Sequence, residues 1–216
     1  MQKVIVFDFD GVIVNSMEMI YGIYGEFAKR FNAKPIESLE KFQDLFDGHW
    51  KNQLRYMGLD PEDPEVFKKT HKVFMELHDK QLKDIKLFPG IFEVLAEVKK
   101  RGYITGLVSS NYRRAITHIL ENVGMLEFFD TVVAFEDATK VKPDPEPLLV
   151  CMKRLERQPA EAIYVGDAIG DIKAARAAGF GKVISTTYGW NRKDQLEPHN
   201  PDGFIDKPED LLKHLE

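Results

Sequence analysis

Four aspartates command attention through their placement. Asp8-Phe9-Asp10-Gly11 follows the apolar run Val4-Ile5-Val6-Phe7, and Gly166-Asp167-Ala168-Ile169-Gly170-Asp171 follows Ala162-Ile163-Tyr164-Val165. Residues two apart in extended chain point to the same side, so Asp8 and Asp10 can address one site as the chain leaves a strand. Asp167 sits where the second run ends, and Asp171 falls in the first turn of the expected helix, where an acid is favourable. Open α/β sheets bind ligands at the C-terminal ends of their strands. If the two strands are neighbours, the four carboxylates converge, and their repulsion calls for a compensating cation. Mg2+ suits such a set because it prefers hard oxygen ligands.

Other groups of complementary chemistry stand at similar places. Lys142 lies in Lys140-Val141-Lys142-Pro143-Asp144-Pro145, where the following proline biases it towards an extended conformation that fixes its direction. Ser109 ends the run Ile104–Val108 and can hydrogen-bond an anionic oxygen, while Ser110 or Asn111 is placed to cap the next helix. Lys140 reads as a solvated lysine.

The elements that must position these residues can be read from periodicity. Residues 4–7, 104–108, 131–135, 162–165 and 182–185 are short, β-branched and nearly continuous in hydrophobicity, as in strands covered on both faces. Between them, Ile91, Val94, Leu95 and Val98 mark one helix face before Gly102, and Ile116, Ile119, Leu120 and Val123 mark another before Gly124. Alternation of this kind predicts an α/β fold with right-handed crossovers. Between the first two strands lies far more chain than one crossover needs. Residues 16–82 carry helical patterns and no convincing strand: Ile20, Ile23, Tyr24, Phe27 and Phe31 mark one helix, and Phe67, His71, Phe74 and His78 another. The expected organisation is a core of residues 1–15 and 83–216 with an inserted helical cap of residues 16–82, Ser16 capping its first helix.

Composition narrows the function. With 44% hydrophobic residues the 216-residue chain can bury a core, and a net charge of −5 argues against a duplex nucleic-acid binder. The single cysteine, Cys151, sits in an apolar run and reads as a packing residue; it permits no internal disulfide, which fits a reducing cytoplasm. No signal peptide and no apolar run of membrane-spanning length, about 20 residues, is found. A cytoplasmic protein with no membrane association and no obligate protein partner is expected.

Taken in order, Asp8-x-Asp10-Gly11, Ser109, Lys142-Pro143 and Gly166-Asp167-x-x-x-Asp171 resemble the four motifs of the haloacid dehalogenase superfamily. Each is weak alone; the ordered set at strand ends is specific and spans almost the whole chain. The resemblance implies a Rossmann-like core, is nearest to phosphoglycolate phosphatase-like enzymes with a helical cap, and implies two-step phosphoryl transfer. Asp8 would be the nucleophile and Asp10 the acid and base. Asp8, the Asp10 carbonyl and Asp167 would hold Mg2+, Ser109 and Lys142 the phosphoryl oxygens, with Gly11, Asn111 and Asp171 in support. Asp171 would act through water or orient Lys142.

The substrate expected is a small phosphorylated metabolite, phosphoglycolate first, with other phosphomonoesters and pyrophosphate as competitors. Dehalogenase members lack the second aspartate of the first motif, so Asp10 argues against dehalogenation. Sugar phosphomutases of this type place a histidine where Ile20 stands. A phosphoacceptor signalling module would lack the large insertion, and a non-catalytic binding protein would not need the full acid set. The family often has aspartate in place of Asn15. In the cap, Lys51 follows Gly48-His49-Trp50, and His49 and Lys51 are the candidates for substrate specificity, with Trp50 expected in the cap core.

Overall fold

The computed structural model describes residues 3–46 and 50–215, and of Lys83 the backbone alone. In chain order the strands are β1 (Val4–Phe7), β2 (Val14–Asn15), β3 (Lys86–Leu87), β4 (Ile104–Val108), β5 (Thr131–Val133), β6 (Ala162–Gly166), β7 (Lys182–Thr186) and β8 (Gly203–Ile205). The helices are α1 (Met17–Arg30), α2 (Leu39–Asp44), α3 (Lys51–Tyr56), α4 (Pro64–Gln81), α5 (Ile91–Lys100), α6 (Arg113–Asn122), α7 (Glu146–Arg154), α8 (Ile169–Ala178) and α9 (Lys193–Leu196).

Six strands form one sheet in the order β5-β4-β1-β6-β7-β8, with every neighbouring pair parallel. β1 lies inside it because both its faces are apolar. Ile5 and Phe7 join a cluster with Val94, Leu95, Ile116 and Leu120 of α5 and α6. Val4 and Val6 join one with Leu148 and Cys151 of α7 and Ala174 and Ala175 of α8. The α/β class and parallel sheet are as the sequence implies. Two details differ. β5 stops at Val133, since the Asp137 carboxylate takes the Ala134 N–H at 2.7 Å and turns Phe135–Asp137 into a 3-10 turn. β8 is an added edge strand that its three residues, opening on glycine, did not announce.

α1 to α4 fall between β2 and β3, which pair antiparallel through Val14 with Leu87 and Asn15 with Lys86. That pairing brings together the two connections to the helical segment. Ile20, Ile23, Tyr24, Phe27, Phe42, Leu54 and Leu77 form its own apolar cluster. The start of α4 follows a local rule: Pro64 opens the helix and Asp63 accepts from Glu65 N at 2.8 Å. Ser16 does not cap α1. Its backbone is already in the right-handed helical region (φ −98°, ψ −6°), whereas a capping serine needs an extended backbone, and its buried Oγ has no partner.

Candidate active site

Register in the sheet gathers the acids. Phe7 of β1 pairs with Val165 of β6, so Asp8 and Asp167 emerge just beyond adjacent strands. Asp8 N still donates to Val165 O at 2.8 Å. On the other side Phe7 pairs with Leu107, which places Ser109 two residues beyond. Asp8, Asp10, Ser109, Asn111, Lys142, Asp167 and Asp171 thus share the wall of one cavity of about 370 Å³ between the sheet edge and the inserted helices.

Lys142 is the electrostatic hub. Its Nζ lies 2.9 Å from Asp8 Oδ1 and 2.6 Å from Asp171 Oδ1, and donates to the Tyr164 hydroxyl at 3.2 Å. The peptide joining it to Pro143 is cis. Asp8 Oδ1 also accepts the Phe9 N–H at 2.7 Å. Asp171 is committed at both oxygens: Oδ1 to Lys142 and to Tyr164 at 3.0 Å, and Oδ2 to the N–H groups of Asp167 and Ala168 at 3.1 and 3.0 Å. Such an acid holds Lys142 in place.

Asp167 is gripped from the loop after β7, where Trp190 N donates to its Oδ2 at 2.6 Å. Glycines make room for it. A side chain on Gly11, whose φ is +80°, or on Gly189 would strike the Asp167 carboxylate. Gly11 therefore serves both the turn and the approach of the two acid-bearing loops.

The charges do not balance within the protein. Burial, together with the Asp171 charge, pushes Asp8 up to about 8 despite Lys142. Burial, Asp171 and Asp8 raise Asp167 well above the carboxylate range, against the pull of the Trp190 N–H and Lys142. Burial works against the charge on Lys142, but Asp171 and Asp8 outweigh it and hold its pKa above the ordinary lysine value. One lysine is thus outnumbered by buried carboxylates. Asp8, Asp167 and Asp171 offer oxygens within 4.8 Å of one another, a donor set that fits a cation with hard oxygen ligands.

Several residues lie where the sequence did not put them. Asn111 does not cap α6, whose N-cap position is Tyr112. Its side chain accepts from Tyr112 N at 2.9 Å and faces Asp10 Oδ2 and His78 Nε2, each at 3.5 Å. Asn111 precedes the helix by one residue too many to cap it. Burial disfavours the charged form of His78, more than Asp10 and Asp79 support it. Lys51 forms an ion pair with Glu62 at 2.8 Å and is not on the cavity wall, whereas its neighbour Trp50 is on that wall and 37% exposed instead of sitting in the cap core. His49 lies outside the described residues. Ser109 Oγ accepts from Asn111 N at 3.0 Å. Cys151, by contrast, is the buried packing residue expected, and burial pushes its thiol up to about 12.

Tyr164 and Trp190 escaped the sequence reading. A phenol inside an otherwise apolar buried strand was the available signal for Tyr164. For Trp190 it was an aromatic residue just beyond the end of β7, on the same sheet edge as the acids.

Residues 5–184 match the haloacid dehalogenase-like hydrolase family. The chain belongs to that family. This haloacid dehalogenase-like hydrolase is 31% identical over 211 residues to the phosphoglycolate phosphatase of Synechococcus elongatus, covering 98% of this chain and 96% of the relative. It is 30% identical to the pyrophosphatase PpaX of Bacillus velezensis, covering 96% and 94%. Its fold superposes on the crystal structure of a predicted phosphoglycolate phosphatase from Haemophilus somnus with a TM-score of 0.86 at 25% identity, covering 100% of this chain and 98% of that one. The hydrolase is accordingly an enzyme of the phosphatase type. Among its described residues no helix is long and apolar enough to cross a membrane.

Proposed function

We propose that this phosphatase is Mg2+-dependent and works through a phosphoryl group carried transiently on Asp8. The observation that carries the reading is the buried Asp8 carboxylate, fixed at Oδ1 by Lys142 and Phe9 N, in a cluster with buried Asp167 and Asp171 for which Lys142, shared between Asp8 and Asp171, is too little positive charge. Asp8, Asp167 and the Asp10 main-chain carbonyl would hold Mg2+, leaving Asp171 to orient Lys142. When bound, the ion supplies positive charge for the acids and for the phosphoryl oxygens.

In the first step an Asp8 oxygen bonds to phosphorus as the bond to the leaving oxygen breaks, and Asp10 gives that oxygen its proton. In the second, Asp10 takes a proton from water, whose oxygen displaces Asp8 and releases inorganic phosphate. Lys142 and Ser109 stabilise the charge spread over the phosphoryl oxygens. The substrates are small phosphorylated metabolites. Phosphoglycolate and pyrophosphate, after the two named relatives, are the reference compounds for assay.

Enzyme acid-quenched during turnover of p-nitrophenyl phosphate should carry a hydroxylamine-labile phosphoryl group on Asp8, seen by mass spectrometry. Sustained turnover by the Asp8→Asn protein would remove Asp8 from this role.

A further inference from the structure

The part of the cavity lined by aromatic rings has an unusual chemistry for a site meant to hold a small dianion. Beyond Lys142, no lysine or arginine among the described residues lines it, and Lys142 is already taken by Asp8 and Asp171. Rings take the place of cations. Trp50 and Phe67 have centroids 5.8 Å apart, Phe67 stacks on His71 at 5.6 Å, His71 meets Tyr112 at 6.1 Å, and Tyr112 meets Phe135 at 5.2 Å. This row runs from α3 and α4 onto the sheet edge, and the His71 Nε2 to Tyr112 hydroxyl contact of 2.8 Å closes the junction. Phe74, one helical turn along from His71, continues the apolar wall.

Exposure sets these rings apart from core aromatics. Five large hydrophobic side chains are exposed among the described residues, and three of them, Trp50, Phe67 and Phe135, line this cavity. Exposed apolar side chains gathered in a concave site mark a ligand surface. A carboxylate or a second phosphate placed here would lose water against ring faces and find, among the described residues, no lysine or arginine in return.

We propose that the phosphatase acts on monoesters whose alcohol is uncharged and carries an aromatic ring, seated along the row Trp50–Phe67–His71–Tyr112–Phe135. This rests on the phosphatase reading above and concerns the alcohol side of the substrate alone. The phosphoryl group stays with Asp8, Ser109 and Lys142, and the released alcohol takes its proton from Asp10.

The test compares 2-phenylethyl phosphate with ethyl phosphate, phosphoglycolate and pyrophosphate. The first two release alcohols of similar acidity, so their difference reports binding of the ring and not leaving-group reactivity. The expected result is a kcat/KM for the phenylethyl ester roughly ten- to hundred-fold above that for ethyl phosphate, and above those for phosphoglycolate and pyrophosphate. Trp50→Ala and Phe67→Ala, at exposed positions that the fold can spare, should each shrink the phenylethyl-to-ethyl ratio several-fold. Preference for phosphoglycolate or pyrophosphate, a ratio near unity, or a ratio unmoved in both variants overturns the inference. So does inertness of the phenylethyl ester in enzyme that hydrolyses p-nitrophenyl phosphate, and in each of these cases the phosphatase reading stands. Inertness towards every ester, p-nitrophenyl phosphate included, removes both.

Discussion

Tyr164 and Asp171 meet beneath the acid-lined edge of the sheet, the phenol donating to Asp171 Oδ1 at 3.0 Å from inside β6. The same oxygen receives Lys142 at 2.6 Å, so the tyrosine helps set the acid that sets the lysine. Tyr164 is fully buried, and its pKa is raised well above the ordinary value by burial first and by Asp171 and Asp8 next. It acts as a neutral donor.

Tyr164→Phe should therefore cost about 1 kcal/mol of stability, the usual net value of one hydrogen bond, measured by urea unfolding. Turnover should fall by less than about tenfold, because Lys142 and two backbone N–H groups still hold Asp171. A loss in kcat of a thousandfold would show that the hydroxyl does more than position Asp171.

The stability of the metal-free protein should fall as pH rises towards 8. Asp8 is raised to about 8, so between the ordinary carboxylate range and that value the folded chain keeps a proton that the unfolded chain has lost. Folded protein then binds more protons than unfolded protein, and the free energy of unfolding decreases with pH. Asp167, also raised, adds to the same slope, while Lys142 titrates above this window. Melting temperatures in excess chelator at pH 5 and pH 8 should show the fall, and Asp8→Asn should flatten it. His78 and His214, both lowered by burial, titrate with the opposite sign, so the comparison with Asp8→Asn is decisive: an equal pH slope in that variant contradicts the charge imbalance at the site.

Asp10→Asn should reduce kcat about 10²- to 10⁴-fold, the usual worth of a positioned acid and base. Its main-chain carbonyl is untouched, so the Mg2+ concentration giving half-maximal activity should stay near the wild-type value. A large shift in that concentration, with kcat restored at saturating metal, would move Asp10 from proton transfer to metal binding.

Chelation should abolish turnover, and Asp167→Ala should raise the Mg2+ requirement sharply. Gly11→Ala should do the same indirectly. At φ +80° a side chain is disfavoured by about 1–2 kcal/mol, and the added methyl would also displace the Asp167 carboxylate. Isothermal titration with Mg2+ checks both variants, and unchanged affinity in Gly11→Ala would show that Asp167 has room to move.

The placement of each acid was legible because its signal is local. A carboxylate at the end of an apolar run declares its place on a sheet, and the five runs needed only the register of β1 with β6 to bring Asp8 beside Asp167. What α4 faces was not legible. Phe67, His71, Phe74 and His78 share one stripe by periodicity, which marks a helix but does not say whether the stripe meets other helices or an open cavity. That depends on how α4 lies over the sheet edge. Tyr164 and Trp190 were hidden for another reason: their contacts with Asp171 and Asp167 depend on how α8 and the loop after β7 close over the end of β6, which no local pattern announces.

The loop after β7 has a mechanical consequence. Besides gripping Asp167, it is bound to the helical insertion: Gln43 donates to Trp190 O at 3.2 Å, Asn191 to Phe46 O at 2.8 Å, and Arg192 pairs with Asp44 at 2.7 Å. Asn191 also receives the N–H of Ile169 at the head of α8. These bonds make the loop a tether with one end at α2 and Phe46 and the other on the buried Asp167 carboxylate. A displacement of α2 from the sheet would have to break these bonds or carry the loop with it, so the position of α2 and the Trp190 amide that holds Asp167 are mechanically linked.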